Sequence, residues 1–484
     1  LYFYDLNAKV NYAIDDKNKL YLSGYFGRDV LGVNDLFGFE WGNTTATLRW
    51  NHIVNSKLFS NTSVIFSNYN YVISIGGNGL DFDIKSKIQD WNLQQEFQYY
   101  ASTKHTVKFG FNTIYHTITP GNIESNGTQI NSTDIEDRYG WENSVFVADE
   151  WKMTDKLTLN AGIRVSSFSA LGKGTFYNYN NKGDVTDSTI YSSGDFVHTY
   201  FTPEPRLALN YRINQQSSIK AGYTRSAQYL HLMTNTNTST PTDLWIPSSP
   251  NVKPQISDQY SIGYYRNFKE NQYEFSAEVY YKDMQNQIDY RNGAELTINK
   301  KIESELLYGT GRAYGLELFL KKKYGRFNGW IGYTLSRTER QIDGINSGSW
   351  YPARYDRTHD VSLVGMYDLT KRWTISAIWV YNTGNAISYP AGKYVVDGTT
   401  YFYYTERNAS RMPDYHRLDL GATYTKTTKR GRESSWTFSI YNAYNRYNAF
   451  SINFQQDEGN AQRTQAIQTS LFGIVPAITY NFKF

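Results

Sequence analysis

Hydrophobic and polar residues alternate with a period of two along much of the chain. From Leu157 to Val165 the odd positions are Leu157, Leu159, Ala161, Ile163 and Val165, and the even ones are Thr158, Asn160, Gly162 and Arg164. The run Tyr273 to Lys282 repeats the pattern, with Tyr273, Phe275, Ala277, Val279 and Tyr281 against Glu274, Ser276, Glu278 and Lys282. Leu316, Leu318 and Leu320 alternate with Glu317, and Leu418, Leu420, Ala422 and Tyr424 alternate with Arg417, Asp419 and Thr423. Successive side chains of an extended strand point to opposite faces, so each segment reads as a strand with one face for lipid or core and one for water. A soluble sandwich alternates in the same way.

The connections separate the two architectures. Short polar turns, such as Asp15-Asp16-Lys17-Asn18, Asn55-Ser56-Lys57, Thr154-Asp155-Lys156, Thr370-Lys371-Arg372 and Lys429-Arg430-Gly431, take turns with long polar loops. The longest loops run over 120–140, 171–196, 232–255, 291–308, 340–355, 388–413 and 447–468. Short turns at one end and long loops at the other are the habit of outer-membrane barrels, whereas a Greek-key sandwich has no reason to keep that rhythm. The predicted fold is all-β: a transmembrane antiparallel β-barrel in which about nineteen strands are visible, each of roughly ten or more residues, which suits a tilted crossing. Residues 1–484 read as the C-terminal part of one such barrel domain.

Strand direction adds an expectation about completeness. The first strand, about Tyr2 to Ile14, runs into a short turn, and the last runs the same way to Phe484. A chain that starts in the periplasm then needs an odd number of strands before Leu1. Three give about 22, the size that encloses a plug, and one gives about 20; the first is preferred. Plug and first strands are therefore expected to precede this sequence. The start, Leu1-Tyr2-Phe3-Tyr4, has no basic region followed by an apolar core and does not read as a signal peptide.

Composition sharpens the membrane reading. Mean hydropathy is −0.59 and hydrophobic residues make up 40%, with no run near the ~18 apolar residues of a spanning helix. Yet 44 Tyr, 26 Phe and 11 Trp bring aromatic residues to 17%, and Tyr and Trp settle at membrane–water boundaries. With no cysteine, stability must come from hydrogen-bonded sheet and burial. A net charge of +4 over 484 residues gives no ground for a nucleic-acid partner.

Several segments resemble the barrels of TonB-dependent outer-membrane receptors, particularly those common in the Bacteroidota. Gly309-Thr310-Gly311-Arg312-Ala313-Tyr314-Gly315-Leu316-Glu317-Leu318 and Gly329-Trp330-Ile331-Gly332-Tyr333-Thr334-Leu335-Ser336-Arg337 resemble a mid-barrel hairpin of the family. Tyr355-Asp356-Arg357-Thr358-His359-Asp360 resembles the start of its next strand, and Tyr415-His416-Arg417-Leu418-Asp419-Leu420-Gly421 with Tyr441-Asn442-Ala443-Tyr444-Asn445 its penultimate hairpin. Pro241-Thr242-Asp243-Leu244-Trp245-Ile246-Pro247 resembles a recurrent outer loop. The C-terminal face of Tyr480, Phe482 and Phe484 resembles the signal read by the barrel-assembly machinery.

The resemblance implies energy-coupled uptake of a scarce ligand (siderophore, vitamin, glycan or peptide) into the periplasm. It implies TonB as partner through an N-terminal part, outer-membrane lipid or lipopolysaccharide around the barrel, and no cofactor. Two other functions stand beside it: a passive porin or channel, and a structural subunit of a larger outer-membrane complex, with a surface lipoprotein or other outer-membrane subunits.

Candidate residues follow from the faces and loops. Arg164, Glu274, Glu278, Glu317, Arg417 and Asp419 point to the polar side, where they line a path or grip a plug, or are ordinary lumen residues. His231, Asp243 and Trp245, Trp350, Tyr351 and Arg354, and Tyr403 are candidate ligand contacts in the outer loops, or residues packing those loops. No two of the seven histidines have metal-ligand spacing, so no metal site is expected. Nucleophile-elbow, zinc-protease and phosphate-loop motifs are absent from the sequence, so no catalytic residue is named and the chain does not read as an enzyme.

Overall fold

The computed structural model describes residues 2–483 apart from 34–36, 77–81, 126–134, 181, 234–243, 295–298, 397–398, 429–430 and 458. Asp243 and Phe484 lie outside the described residues. The alternating segments form one antiparallel sheet of twenty strands, nineteen of which cross in chain order. The first seven are β1 (Tyr2–Ala13), β2 (Asn18–Val33), β3 (Phe37–Ile53), β4 (Leu58–Ile75), β5 (Phe82–Tyr100), β6 (His105–Ser125) and β7 (Arg138–Lys152). Next come β8 (Leu157–Leu171), β9 (Phe196–Arg212), β10 (Ser217–Gln228), β11 (Gln255–Phe268), β12 (Tyr273–Tyr290) and β13 (Leu306–Lys322). The set ends with β14 (Phe327–Ile342), β15 (His359–Asp368), β16 (Trp373–Asn382), β17 (Tyr415–Thr427), β18 (Glu433–Tyr441) and β19 (Val475–Lys483). The twentieth strand, Tyr351–Pro352, pairs with the outer end of β14.

The turn end is built as its sequence dictates. Asp15 Oδ1 accepts the backbone N–H of Lys17 and of Asn18 at 2.8 Å each, and Thr154 Oγ1 does the same for Lys156 at 3.2 Å and Leu157 at 3.0 Å. A short polar side chain closing the backbone two and three residues on is the chemistry that makes these residues turn formers. At the other end two connections depart from the long-loop rhythm. Val33 pairs directly with Phe37 and Ile75 with Phe82, because β2 to β5 continue past the membrane as paired ribbon instead of leaving it as loop.

Register turns the alternation into a surface. On β10 to β14, Ala221, Ile262, Val279, Leu316 and Leu335 lie opposite one another, and the next row below is Ile219, Tyr264, Ala277, Leu318 and Tyr333. Val279 is 47% exposed and Ile262 is 53% exposed, on the face away from the lumen. Above these rows Tyr223, Tyr260, Tyr281, Tyr314 and Arg337 align, and on β4 to β7 so do Phe66, Trp91, Tyr115 and Trp141. Near the turn end Phe268 stacks on Tyr273 at 5.1 Å and Trp436 meets Tyr480 at 4.7 Å. From Tyr273 to Tyr281 the strand rises about 27 Å, or about 21 Å along a barrel axis tilted by about 40°. An exposed apolar band of that height between two aromatic girdles is what a bilayer requires, and water would penalise it. Tyr480 and Phe482 face outward in the lower girdle, as the alternation of the last strand predicts.

Among the described residues β1 pairs only with β2 and β19 only with β18.

Candidate functional site: the outer mouth and the lumen wall

The loops do not stand free over their own strands. The hairpin of Leu230–Met233 with Leu244–Pro247 leaves β10 and brings its second strand within 8 Å, Cα to Cα, of β6, several strands away. Its core, Met233 and Ile246, packs with Val252, Ile288, Tyr290 and Leu306 from the loop ends of β11, β12 and β13. A second hairpin, Gly174–Tyr179 with Val185–Tyr191, leaves β8 and meets the loop after β12. There Arg291 Nη1 donates to the Lys182 carbonyl at 2.8 Å, and Asn251 Nδ2 donates to the Tyr177 carbonyl at 2.9 Å.

Two buried carboxylates tie the remaining loops together. Asp289, 7% exposed, receives Arg407 Nη1 at 2.6 Å and the Tyr351 hydroxyl at 2.8 Å. Arg407 Nη2 also donates to Asn292 Oδ1 at 2.9 Å, and its backbone is clasped by Asn346, which donates Nδ2 to the Arg407 carbonyl at 3.0 Å and accepts its N–H at 2.7 Å. Asp356, 1% exposed, accepts the Thr338 N–H at 2.5 Å and a guanidinium N–H of Arg411. The segments after β12, β14 and β16 are therefore tied to one another at Asn292, Asn346, Asp356, Arg407 and Arg411. No motif or spacing marks Asp289, Arg407 or Arg411 in the sequence, and Asp356 stands there only as part of a family-like strand start, because their partners lie far away along the chain until folding brings them together.

These contacts change the assignment of several loop candidates. Tyr351 is 1% exposed and packs with Ile342 and Ile345, so it holds loops instead of offering a surface. Burial, with the Asp289 carboxylate beside it, pushes its phenol well above the usual range. Trp350 lies on the guanidinium of outward-facing Arg312, 4.2 Å from its carbon, on the outer rim and away from the lumen. Trp245 is half-buried opposite Leu232 within its hairpin. Arg354 is half-buried near the Tyr355 ring, at 5.6 Å. Tyr403 is exposed: with Tyr394 and Tyr401, whose rings stack at 5.6 Å, it forms an aromatic face on the hairpin Gly392–Val396 with Thr399–Tyr403.

His231 is 1% exposed, with Nε2 2.9 Å from Ser248 Oγ and Nδ1 without a partner among the described residues. Burial lowers its pKa from 6.5 to about 4. The unfolded hairpin binds the proton more readily than the folded one, so stability is complete above pH 6.5 and falls as pH drops toward about 4. Hydrogen exchange of residues 230–233 and 244–252 is expected to accelerate over that interval. A His231→Gln barrel should lose this pH dependence; an unchanged profile would dismiss His231 as its source.

Register puts Arg164, Glu274, Glu278, Glu317, Arg417 and Asp419 on the face opposite the exposed apolar rows. Arg164 lies between Glu142 at 3.3 Å and Glu204 at 3.6 Å, and Glu204 also accepts the Ser166 hydroxyl at 2.6 Å. Glu278 and Glu317 face each other across β12 and β13, with the Tyr265 hydroxyl donating to Glu278 at 2.5 Å. Glu274 pairs with Lys323 at 3.1 Å near the turn end. Arg417 pairs with Asp419 at 2.9 Å and stacks on Tyr441 at 4.2 Å. Among the described residues no group of three or more His, Cys, Asp or Glu side chains could hold a metal ion.

The family model described as TonB dependent receptor-like, beta-barrel matches residues 2–445. The ferric-catecholate import receptor Fiu of E. coli K12 superposes with a TM-score of 0.63 at 16% identity, over 99% of this chain and 74% of that one. The copper transporter OprC gives 0.70 at 11%, over 100% and 72%. The ferripyoverdine receptor of Pseudomonas aeruginosa gives 0.65 at 11%, over 99% and 64%, so this chain spans less than two thirds of that receptor. At these identities the superpositions speak for the fold. No curated protein matches the chain in sequence.

Proposed function

Because the chain belongs to the TonB-dependent receptor-like β-barrel family, and so to the bacterial outer membrane, we propose that it forms the wall and outer gate of a receptor for energy-coupled import of a scarce ligand, such as a siderophore, vitamin, glycan or peptide. The observation that carries this reading is the mouth. Its loops reach over several strands and are locked by buried ion pairs, a construction for closing over a ligand and not for holding a pore open. Ligand contacts fall to exposed side chains of these loops, Tyr403 with Tyr394 and Tyr401 foremost. The six inward charges, Arg164, Glu274, Glu278, Glu317, Arg417 and Asp419, serve as plug-facing wall. TonB acts through a segment outside this sequence, and Tyr480 and Phe482 are part of the assembly signal.

Strand direction supports a larger closed barrel. Both edge strands, β1 and β19, descend to the turn end, so a ladder that is antiparallel throughout closes only with an odd number of further strands between them. Three such strands make about 22, the plugged size.

Planar-bilayer recording separates import from passive diffusion. The full-length protein is expected to show no large, steady conductance, and ligand uptake by cells should cease when the inner-membrane proton gradient is collapsed. A persistent open pore with gradient-independent uptake would establish a porin instead. The exposed tyrosine face at Tyr394, Tyr401 and Tyr403 favours one second reading, a barrel working beneath a surface lipoprotein lid. Stoichiometric co-purification that is lost on Tyr401→Ser would establish it.

A further inference from the structure

The apolar face of the sheet changes sides where β2 to β5 leave the membrane. Within the bilayer band Leu22, Leu48, Val64 and Leu93 form an outward row, and the neighbouring inward row holds Tyr21, Arg49, Ser63 and Gln94. Beyond the aromatic girdle the same strands reverse this, although no bulge interrupts the pairing of β2, β3 and β4. An inward row there reads Leu31, Phe39, Ile73, Ile84 and Ile123, and the row two residues lower reads Phe3, Asp29, Trp41, Tyr71 and Ser86. The outward side of this ribbon carries Arg28 paired with Glu40, and Lys85 paired with Glu124 at 2.5 Å.

Aromatic rings follow one another along this inner face. Phe37 is 5.5 Å from Phe39 and Phe39 is 6.0 Å from Trp41, with Tyr69 6.5 Å from Tyr71 on the next strand. From Phe37 to Trp41 the file is about 14 Å long. The β6 end of the face is used within the chain: the second strand of the mouth hairpin, Leu244–Pro247, lies beside it, and Ile118 and Ile123 are 0% and 3% exposed. Toward β2 the face stays open among the described residues, with Phe37 38% exposed and Leu31 and Ile73 half-buried. Water penalises such a surface, and an open apolar patch rimmed by polar groups marks a place of docking. This one looks across the mouth and away from the bilayer, where neither acyl chains nor a second barrel can reach it, so its occupant is a molecule that enters the mouth. Charge narrows the choice. In these two rows and the next one down (Asp5, Gly27, Asn43, Tyr69, Ile88 and Ile118) the charged residues are Asp5 and Asp29, with no lysine or arginine. Neither carboxylate has an ionic partner among the described residues. An anion settling here would give up its hydration for no counter-charge, whereas a cation gains both the carboxylates and the ring faces.

We propose that this face binds an apolar, ring-bearing ligand that carries a positive charge. Its rings lie on the file from Phe37 to Trp41, and its cationic or amine group lies against Asp29, directly opposite Trp41 in the ladder, and Asp5. The inference rests on the import reading and narrows its ligand to that class, away from anionic chelates.

The test uses the full-length protein in lipid nanodiscs, with empty nanodiscs as the blank, and two probes that share one ring system and differ in charge: a cationic xanthene ester of the rhodamine type, and fluorescein. By fluorescence anisotropy the cation should bind about tenfold more tightly than fluorescein or better, and Asp5→Asn with Asp29→Asn should remove most of that difference. Those two changes break no ion pair in the fold. Trp41→Ala should weaken the cation by about fivefold through lost ring contact. The Ile73→Cys variant reads the face directly: its thiol should react with N-ethylmaleimide in the unliganded protein, and the cation should slow that reaction while fluorescein does not. Fluorescein bound as tightly as the cation, unchanged binding in the double carboxylate variant, or a thiol already shielded by another segment of the full-length chain would each overturn the proposal. Gradient-independent uptake through a steady pore would remove the import reading instead, a result distinct from a barrel that imports but shows no preference for the cation.

Discussion

Replacing Asp289 by Ala is expected to cost about 3–5 kcal/mol and to release three outer loops at once, because it leaves the Arg407 guanidinium buried and without its carboxylate. The side chains of Asp289 and Arg407 are 9% and 7% exposed, so water can do little to compensate. Tyr351 would lose its acceptor in the same step. Hydrogen exchange should rise together in 291–305, 343–358 and 383–414, and the barrel's ligand should bind more weakly while the strands keep their protection. The double change Asp289→Leu with Arg407→Met separates charge from packing: it leaves no buried unpaired ion, since Arg340, 3.9 Å from Asp289, is a third exposed, and it should recover most of the lost protection. A single change that shifts protection by less than about 1 kcal/mol would put the pair among ordinary surface ion pairs and end its role as the lock of the mouth.

The barrel was legible in the sequence because its rules are local. Parity alone puts Arg164, Glu278, Glu317 and Arg417 on the polar face, opposite the apolar rows, since a period of two cannot be satisfied on the wrong face. Turn chemistry at Asp15 and Thr154 marks the short connections for the same reason: the bonds close within three residues. The mouth was not legible. Asp289 and Arg407 are 118 residues apart in sequence, and nothing in either neighbourhood announces the other. His231, Trp350 and Tyr351 look like contact residues because polar loops with aromatic side chains are where ligands bind. Yet the same side chains are what a loop uses to pack on other loops, and only the fold shows that Tyr351 faces Asp289 and Trp350 faces Arg312.

Two substitutions to arginine, Leu318→Arg and Thr334→Arg, test the facing of the sheet with opposite expected signs. Leu318 lies in the middle apolar row between Ala277 and Tyr333, facing lipid, and a charge there should destabilise the barrel by about 2–4 kcal/mol. Thr334 lies on the lumen side opposite Glu317, which itself faces Glu278. An arginine at Thr334 enters a wet, acidic surface and relieves a like-charge pair, so it should be neutral or slightly stabilising. Urea titration of the full-length protein in lipid vesicles would show the first variant unfolding well before the wild type and the second with it or after it. If both are tolerated, the outward face meets water and the molecule is not a membrane barrel. If Thr334→Arg is the costly one, lumen and lipid faces are interchanged, and with them every assignment that parity made.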